Sequence, residues 1–130
     1  MSSTEGTPQA AARRVLIVED NPSLARVLTE LLRLEGFHVE TSNDGQRAVT
    51  HFQERGPFDL VLCDVLLPGM RGTDVAHAIL RDSPRTGVIL WSGHPTDAVS
   101  EGLPQIRVLQ KPIDADQLLL AVAEVLRESC

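Results

Sequence analysis

The chain has 130 residues, enough for one domain with a single hydrophobic core. Hydrophobic residues make up 42% and charged residues 23%, a balance typical of globular domains rather than of disordered or membrane-embedded chains. A net charge of −6 without any cluster of Lys or Arg argues against a nucleic-acid-binding surface. No apolar run is long enough to cross a bilayer, and the N-terminus carries no signal-peptide pattern. We therefore expect a cytoplasmic protein that does not bind membranes.

Residues 1–12 are small and polar and lack an apolar face, which predicts a disordered N-terminal tail. From Arg13 onward, short apolar runs alternate with stretches of helical periodicity, and no internal repeat is visible. Residues 13–130 are therefore predicted to form one domain.

The first half of this domain is predicted to alternate two strands with two helices. The run VLIV (15–18) predicts the first strand, and the next helix begins at Asn21 as N-cap, with Pro22 as its first residue, and ends at Gly36. HVET (38–41) predicts the second strand. Apolar residues at i, i+3 and i+4 spacings define the buried stripes of the two helices: Leu24, Val27, Leu28, Leu31 and Leu32, then Ala48, Val49 and Phe52.

The second half continues the same alternation. Three more strands are predicted at DLVLCD (59–64), VILW (88–91) and RVL (107–109). Between the last two, only residues 96–101 could be helical, so the helix there is predicted to be short or irregular. The last helix begins at Asp114. The buried stripes are predicted at Val75, Ala76, Ile79 and Leu80 of the third helix, and at Leu118, Val122, Val125 and Leu126 of the last one.

This alternation indicates an α/β fold. Strands of nearly continuous apolar sequence that are joined by helices predict a parallel sheet covered on both faces. Right-handed crossover connections then give a doubly wound, five-stranded sheet.

Reactive side chains stand at the ends of four of the five predicted strands. Glu19 and Asp20 follow the first strand, and Asp64 ends the third. Ser92 follows the fourth strand, and the fifth runs into Lys111. Because ligands of doubly wound sheets bind at the carboxyl ends of the strands, we expect three carboxylates, one hydroxyl and one ammonium group to meet at one edge.

This set of groups suits phosphoryl transfer. Three carboxylates at close range repel one another unless a cation lies among them, and oxygen-only ligation favours Mg²⁺ or Mn²⁺. A carboxylate beside such a metal can attack phosphorus and form an aspartyl phosphate. The metal, the ammonium group and the hydroxyl would then stabilise the charge on the phosphoryl oxygens.

Four motifs in this order, VLIVEDN, LVLCDVLLPGMRG, VILWSG and LQKP, resemble the receiver domain of two-component response regulators. The resemblance extends from Arg13 to the last helix and implies the flavodoxin-like strand order 2-1-3-4-5. It also implies a signalling module that takes its phosphoryl group from a histidine kinase or a histidine phosphotransfer protein and catalyses only its own phosphorylation and dephosphorylation. A downstream protein target, rather than nucleic acid, is the expected partner for output.

The resemblance also assigns a role to each site residue. The Lys111–Pro112 bond is expected to be cis, as is typical of the family. Pro68, Gly69 and Gly72 match the family's loop after the phosphoacceptor. The implied roles are Asp64 as phosphoacceptor and metal ligand, Asp20 as metal ligand, Glu19 as holder of the metal's waters, the Leu66 backbone carbonyl as a further ligand, Ser92 as the switch hydroxyl and Lys111 as its charge partner.

Two features depart from the family pattern. Receivers usually carry Tyr or Phe three residues before the Lys, where this chain has Val108. The short helix predicted at 96–101 is more typical of single-domain or hybrid-kinase-type receivers, so no attached effector domain is expected. Because Val108 is small and stiff at χ1, phosphorylation is expected to remodel mainly residues 93–102.

Three other functional classes share part of this pattern. A receiver-like interaction module that is not phosphorylated remains the alternative. A dehalogenase-type hydrolase is rejected because Leu66 stands where that class has a second acid, and a flavin carrier lacks its phosphate loop. Trp91 is predicted to pack in the core, and Cys63 is predicted to be an inert core residue. Cys63 and Cys130 make neither a convincing disulfide framework nor a zinc site. His38, His51 and His77 lack metal-ligand spacing, and His94 is predicted in an exposed loop.

Overall fold

The structure is a computed structural model that describes residues 12–93 and 106–129. Five strands form one sheet: β1 Arg14–Val18, β2 His38–Ser42, β3 Leu60–Asp64, β4 Gly87–Ser92 and β5 Ile106–Gln110. The helices within the described residues are α1 Pro22–Leu34, α2 Gly45–Arg55, α3 Gly72–Asp82 and α4 Ala115–Ser129. The expected tail up to residue 11, His94, the helical stretch 96–101, the rest of the 93–102 segment beyond Gly93, and Cys130 lie outside the described residues.

The sheet has the strand order β2-β1-β3-β4-β5, and all four neighbouring pairs are parallel. This confirms the doubly wound fold and the 2-1-3-4-5 order. The five strands lie within one residue of their predicted bounds at each end. Because β1 and β3 are neighbours in the middle of the sheet, the groups that follow them are brought together although they are far apart in sequence.

Helices cover both faces of the sheet, as the apolar strands predict. β3 and β4 are buried along their whole length, whereas in the edge strand β2 only Val39 is buried. On one face α2 and α3 pack against a cluster that includes Leu16, Val61 and Leu90. On the other face α1 and α4 pack against a second cluster, which includes Ile17 and Trp91. The C-terminal edge of the sheet therefore lies between two rigid layers.

The ends of α1 follow the sequence signals. The Asn21 side chain accepts hydrogen bonds from the backbone N–H groups of Ser23 (2.9 Å) and Leu24 (3.2 Å), and Pro22 is the first helical residue. Gly36 lies at the C-terminal end with φ of +95°, a conformation that glycine adopts without a steric penalty. The Asn21 cap fixes the start of α1 directly after Glu19 and Asp20.

The prediction that Val27 belongs to the buried stripe of α1 is wrong. Val27 is 58% exposed, while Leu28 and Leu32 are buried against the sheet. Successive residues of a helix are rotated by about 100°, so the neighbour of a fully buried Leu28 points well away from the sheet. Spacing alone made Val27 look equivalent to the others because it lies four residues before Leu31, which is only partly buried.

Glu40 on β2 is the centre of an ion-pair cluster that links β1, β2 and α2. One of its carboxylate oxygens lies 2.6 Å from Nε2 of His51 and 2.8 Å from Nε of Arg55. The other lies 2.9 Å from Nε2 of His38 and 3.2 Å from Nη2 of Arg14. The Arg55 guanidinium, with smaller effects from the other three groups, holds the pKa of Glu40 well below its ordinary value of 4.5. The cluster therefore ties the sheet edge to α2.

Replacing Glu40 with Gln should lower the free energy of unfolding by about 1–2 kcal/mol at pH 7, because Arg14 and Arg55 lose their negatively charged partner and one of the two acceptor oxygens becomes a donor. A depressed folded-state pKa means that this contribution is complete above pH 4.5 and is lost as the pH falls toward the folded-state pKa. Urea unfolding at pH 7 and at pH 4 measures both effects. Glu54→Gln, at an exposed position of α2, is the matched control and should change little. Equal stability of Glu40→Gln and wild type at pH 7 would contradict the prediction.

No helix in the part of the chain that the structure describes is both long enough and apolar enough to cross a membrane.

Candidate functional site

Three carboxylates meet at the C-terminal edge of the sheet. One oxygen atom from each of Glu19, Asp20 and Asp64 can be chosen so that all three lie within 4.8 Å of one another. Glu19 and Asp64 are buried, at 3% and 4% exposure, whereas Asp20 is exposed and leaves the cluster open to solvent. The ends of β1 and β3 thus place the predicted acids together.

Glu19 is held by a hydrogen bond at each carboxylate oxygen. The indole Nε1–H of Trp91 donates to Oε1 (3.1 Å), and the backbone N–H of Asn21 donates to Oε2 (3.0 Å). Burial raises the pKa of Glu19 and the charge of Asp64 raises it further, while the bonds from Asn21 and Trp91 act in the opposite direction. A cation among the carboxylates would remove the electrostatic part of this cost.

Both oxygens of Asp64 also have donors. Nζ of Lys111 lies 2.8 Å from Oδ2, and the backbone N–H of Leu66 donates to Oδ1 (3.0 Å). Lys111 is the only lysine in the chain, whose other eleven basic residues are arginines. An ammonium group is therefore in direct contact with the buried carboxylate, at the place where the sequence predicts that they meet.

The ends of β4 and β5 are joined beside this contact. The backbone N–H of Lys111 donates to the carbonyl of Ser92 (2.7 Å), and Ser92 is 1% exposed at the last position of β4. The Lys111–Pro112 bond is cis, as expected, and so is Gly56–Pro57, which was not predicted. Leu66 has an exposed side chain, and the expected metal contact of its carbonyl stays a prediction.

The loop after Asp64 requires glycine at two positions. A Cβ atom on Gly72 would collide with the carbonyl oxygen of Asp64 and would lie 2.8 Å from Cα of Val65. Gly69 has φ of +81°, in the region that other residues rarely adopt. These two glycines let α3 begin directly against the end of β3, which holds the Asp64 backbone in place.

Comparison with known proteins agrees with this geometry. The family model described as "Response regulator receiver domain" matches residues 15–123, which includes every predicted site residue. The chain belongs to this family. The receiver is a module of signalling proteins, and the acidic cluster of Glu19, Asp20 and Asp64 matches the cluster with which receiver domains bind Mg²⁺.

Curated relatives resemble this receiver over only part of their length. The chain is 40% identical over 119 residues to the DNA-binding response regulator MtrA of Mycolicibacterium smegmatis. That match covers 90% of this chain but 52% of MtrA, so the chain spans about half the length of the curated relatives that it matches. Because MtrA is named as DNA-binding, the comparison does not support the expectation that nucleic acid plays no part.

Solved receiver structures match nearly the whole chain. A CheY-like receiver domain protein from Methanospirillum hungatei superposes with a TM-score of 0.83 at 26% identity, covering 92% of this chain and 97% of that protein. The response regulator TrrA from Thermotoga maritima, in complex with Mg²⁺ and BeF, superposes with a TM-score of 0.77 at 28% identity, covering 87% and 98%. These receiver structures therefore have the same fold as this chain, and the shared fold covers nearly the whole of each protein.

Trp91 has a contact that the sequence did not predict. The residue is fully buried, as expected for core packing, but its N–H is bonded to Glu19, 72 positions away. Its position in the sequence could have indicated this contact, since a tryptophan directly before Ser92 lies at the strand end where the acids converge. Cys63 is buried as predicted, and burial raises the pKa of its thiol, which keeps it protonated and unreactive.

Proposed function

We propose that this receiver takes a phosphoryl group from a histidine kinase or a histidine phosphotransfer protein onto Asp64, in a reaction that needs Mg²⁺ or Mn²⁺. The observation that carries the proposal is the 2.8 Å contact between Lys111 and Asp64 beside the acidic cluster. A buried carboxylate in a purely structural role would not require two more carboxylates within reach. The Lys111 contact also disfavours the alternative of a receiver-like module that is not phosphorylated.

The oxygen-rich cluster fits the metal that the family implies. Asp20, Asp64 and the Leu66 carbonyl would hold Mg²⁺ directly, and Glu19 would hold its waters. Once bound, the ion neutralises charge on the acids and on the phosphoryl oxygens. The open side of the cluster at Asp20 leaves room for these waters and for the phosphoryl donor.

The chain's own residues supply the rest of the chemistry. A carboxylate oxygen of Asp64 attacks the phosphorus of the phosphohistidine, the new P–O bond forms and the P–N bond breaks. The imidazole leaves with the electron pair and takes up a proton. The Lys111 ammonium group moves from the carboxylate to a phosphoryl oxygen, where it stabilises developing charge. The hydroxyl of Ser92, buried at the next strand end, donates a hydrogen bond to another phosphoryl oxygen.

The output of the receiver remains a prediction. Val108 pairs with Leu90 across β4 and β5 and packs against the cluster under α2 and α3, so the space of the usual aromatic is occupied by a small side chain. We therefore keep the proposal that phosphorylation acts mainly through residues 93–102, onto a partner protein.

Phosphorylation by a small donor tests the function without the cognate kinase. Purified wild type incubated with acetyl phosphate and Mg²⁺ should gain one phosphoryl group, detected by intact-protein mass spectrometry. EDTA in place of Mg²⁺ should prevent the gain. An unmodified chain under both conditions would favour the interaction module that is not phosphorylated.

Mg²⁺ should also stabilise the fold, because it binds an acidic cluster that exists only in the folded state. At ten times its Kd the gain in unfolding free energy is about 1.4 kcal/mol, or roughly 4–6 °C in Tm. Asp20→Asn removes one charged ligand and should lose most of this gain, whereas the exposed Asp82→Asn should keep it. Thermal melts with and without Mg²⁺ measure the difference. Identical melts of wild type under both conditions would count against the metal site.

A further inference from the structure

The contact between Trp91 and Glu19 spans the middle of the sheet. Trp91 lies on β4 and Glu19 follows β1, and β3 lies between these two strands. Neighbouring strands are about 4.8 Å apart, so the indole bridges roughly two strand spacings. It passes through the cluster under α1 and α4 and presents Nε1 to the carboxylate at 3.1 Å.

This hydrogen bond helps to orient Glu19, together with one from a backbone N–H. The other comes from the Asn21 backbone and holds only Oε2. Without the indole N–H, Oε1 would be a buried acceptor lacking this donor, and the carboxylate could rotate about its last torsion. A phenylalanine at position 91 would fill most of the same space but would offer no donor. Core packing alone therefore does not account for a hydrogen-bond donor at this position.

We propose that Trp91 is a positioning residue of the divalent-cation site, whose indole N–H holds the Glu19 carboxylate in the orientation that receives the metal's waters. This inference rests on the proposed Mg²⁺-dependent function. Trp91 also lies beside Asp64 in the sheet register, and its carbonyl accepts a hydrogen bond from Val65 (3.0 Å). One residue thus contacts the segments that carry two of the three acids.

Trp91→Phe is the variant that removes the donor and keeps an aromatic core residue. Calorimetric titration with Mg²⁺ should show a Kd raised by about tenfold, at the low end of the range for groups that orient metal ligands. Ile89→Val, in the same core cluster and on the same face of β4, is the control for lost packing. It should lower stability and leave the Mg²⁺ Kd unchanged.

A double-mutant cycle separates positioning from a general structural effect. If Trp91 acts through Glu19, the tenfold effect of Trp91→Phe should disappear in a Glu19→Ala background. An equal effect in both backgrounds would overturn the proposal. So would an unchanged Kd in Trp91→Phe while wild type binds Mg²⁺, and that result would leave the proposed function intact.

Wild type alone provides a second measurement in case the variants fail to fold. Trp91 is the only tryptophan, so ¹H–¹⁵N NMR shows one indole N–H signal. That signal should shift on Mg²⁺ titration with the same Kd as the amide of Asp20. An indole signal that stays still while the Asp20 amide shifts would overturn the proposal. If no signal shifts and calorimetry shows no heat, the Mg²⁺ site of the proposed function fails together with it.

Discussion

Asp64→Asn should reduce phosphoryl transfer from acetyl phosphate to background. The amide oxygen of Asn is a far weaker nucleophile than a carboxylate and forms no stable phosphorylated product. Asn has nearly the shape of Asp, and its one amide oxygen can still accept the hydrogen bond that the Leu66 backbone N–H donates to Asp64, although the bond from Lys111 to the other oxygen is lost. The variant should therefore fold. Intact-protein mass spectrometry after incubation with acetyl phosphate and Mg²⁺ gives the readout.

The control for Asp64→Asn is Asp82→Asn, at an exposed position where α3 ends. This substitution removes the same charge from the chain and should leave the extent of labelling unchanged. Labelling of Asp64→Asn at the wild-type level would show that another residue is the phosphoacceptor. Loss of labelling in both variants would indicate that the net charge of the protein, rather than the residue at position 64, controls its reaction with acetyl phosphate.

Lys111→Met should slow phosphoryl transfer by about 100-fold, because the ammonium group that stabilises the phosphoryl oxygens is lost. The same change should tighten Mg²⁺ binding, since it removes a positive charge 2.8 Å from an Asp64 oxygen. A slower reaction with tighter metal binding distinguishes loss of Lys111 from general damage to the site. Initial labelling rates at saturating Mg²⁺, together with calorimetry, measure the two quantities separately.

Lys111→Arg is the matched control, because it keeps the positive charge with a longer and planar group. Its Mg²⁺ affinity should stay close to that of wild type, and its transfer rate should fall between those of wild type and Lys111→Met. Weaker Mg²⁺ binding in Lys111→Met would mean that the lysine supports the fold of the site rather than competing with the cation.

Local sequence signals were sufficient for the elements within the described residues and for predicting that Glu19, Asp20, Asp64 and Lys111 lie together. Apolar runs predicted β1, β3 and β4, because a strand covered on both faces must be apolar at nearly every position. The edge strands β2 and β5 were predicted from shorter runs with β-branched residues. Asn21 and Gly36 predicted the ends of α1, since capping depends on residues next to one another in the chain. The acids and the lysine were found because parallel strands end at one edge, so their position after a strand already places them.

The contacts that orient those residues depended on tertiary structure. The Trp91–Glu19 bond joins residues 72 positions apart, and Glu40 collects donors from two strands and a helix. The exposure of Val27 likewise depends on how α1 is rotated against the sheet. Register and helix rotation are set by packing of the whole domain, and spacing along the chain does not encode them. The sequence alone therefore determined which groups meet at the carboxyl edge of the sheet, and only the folded chain decided which side chains hold them in position.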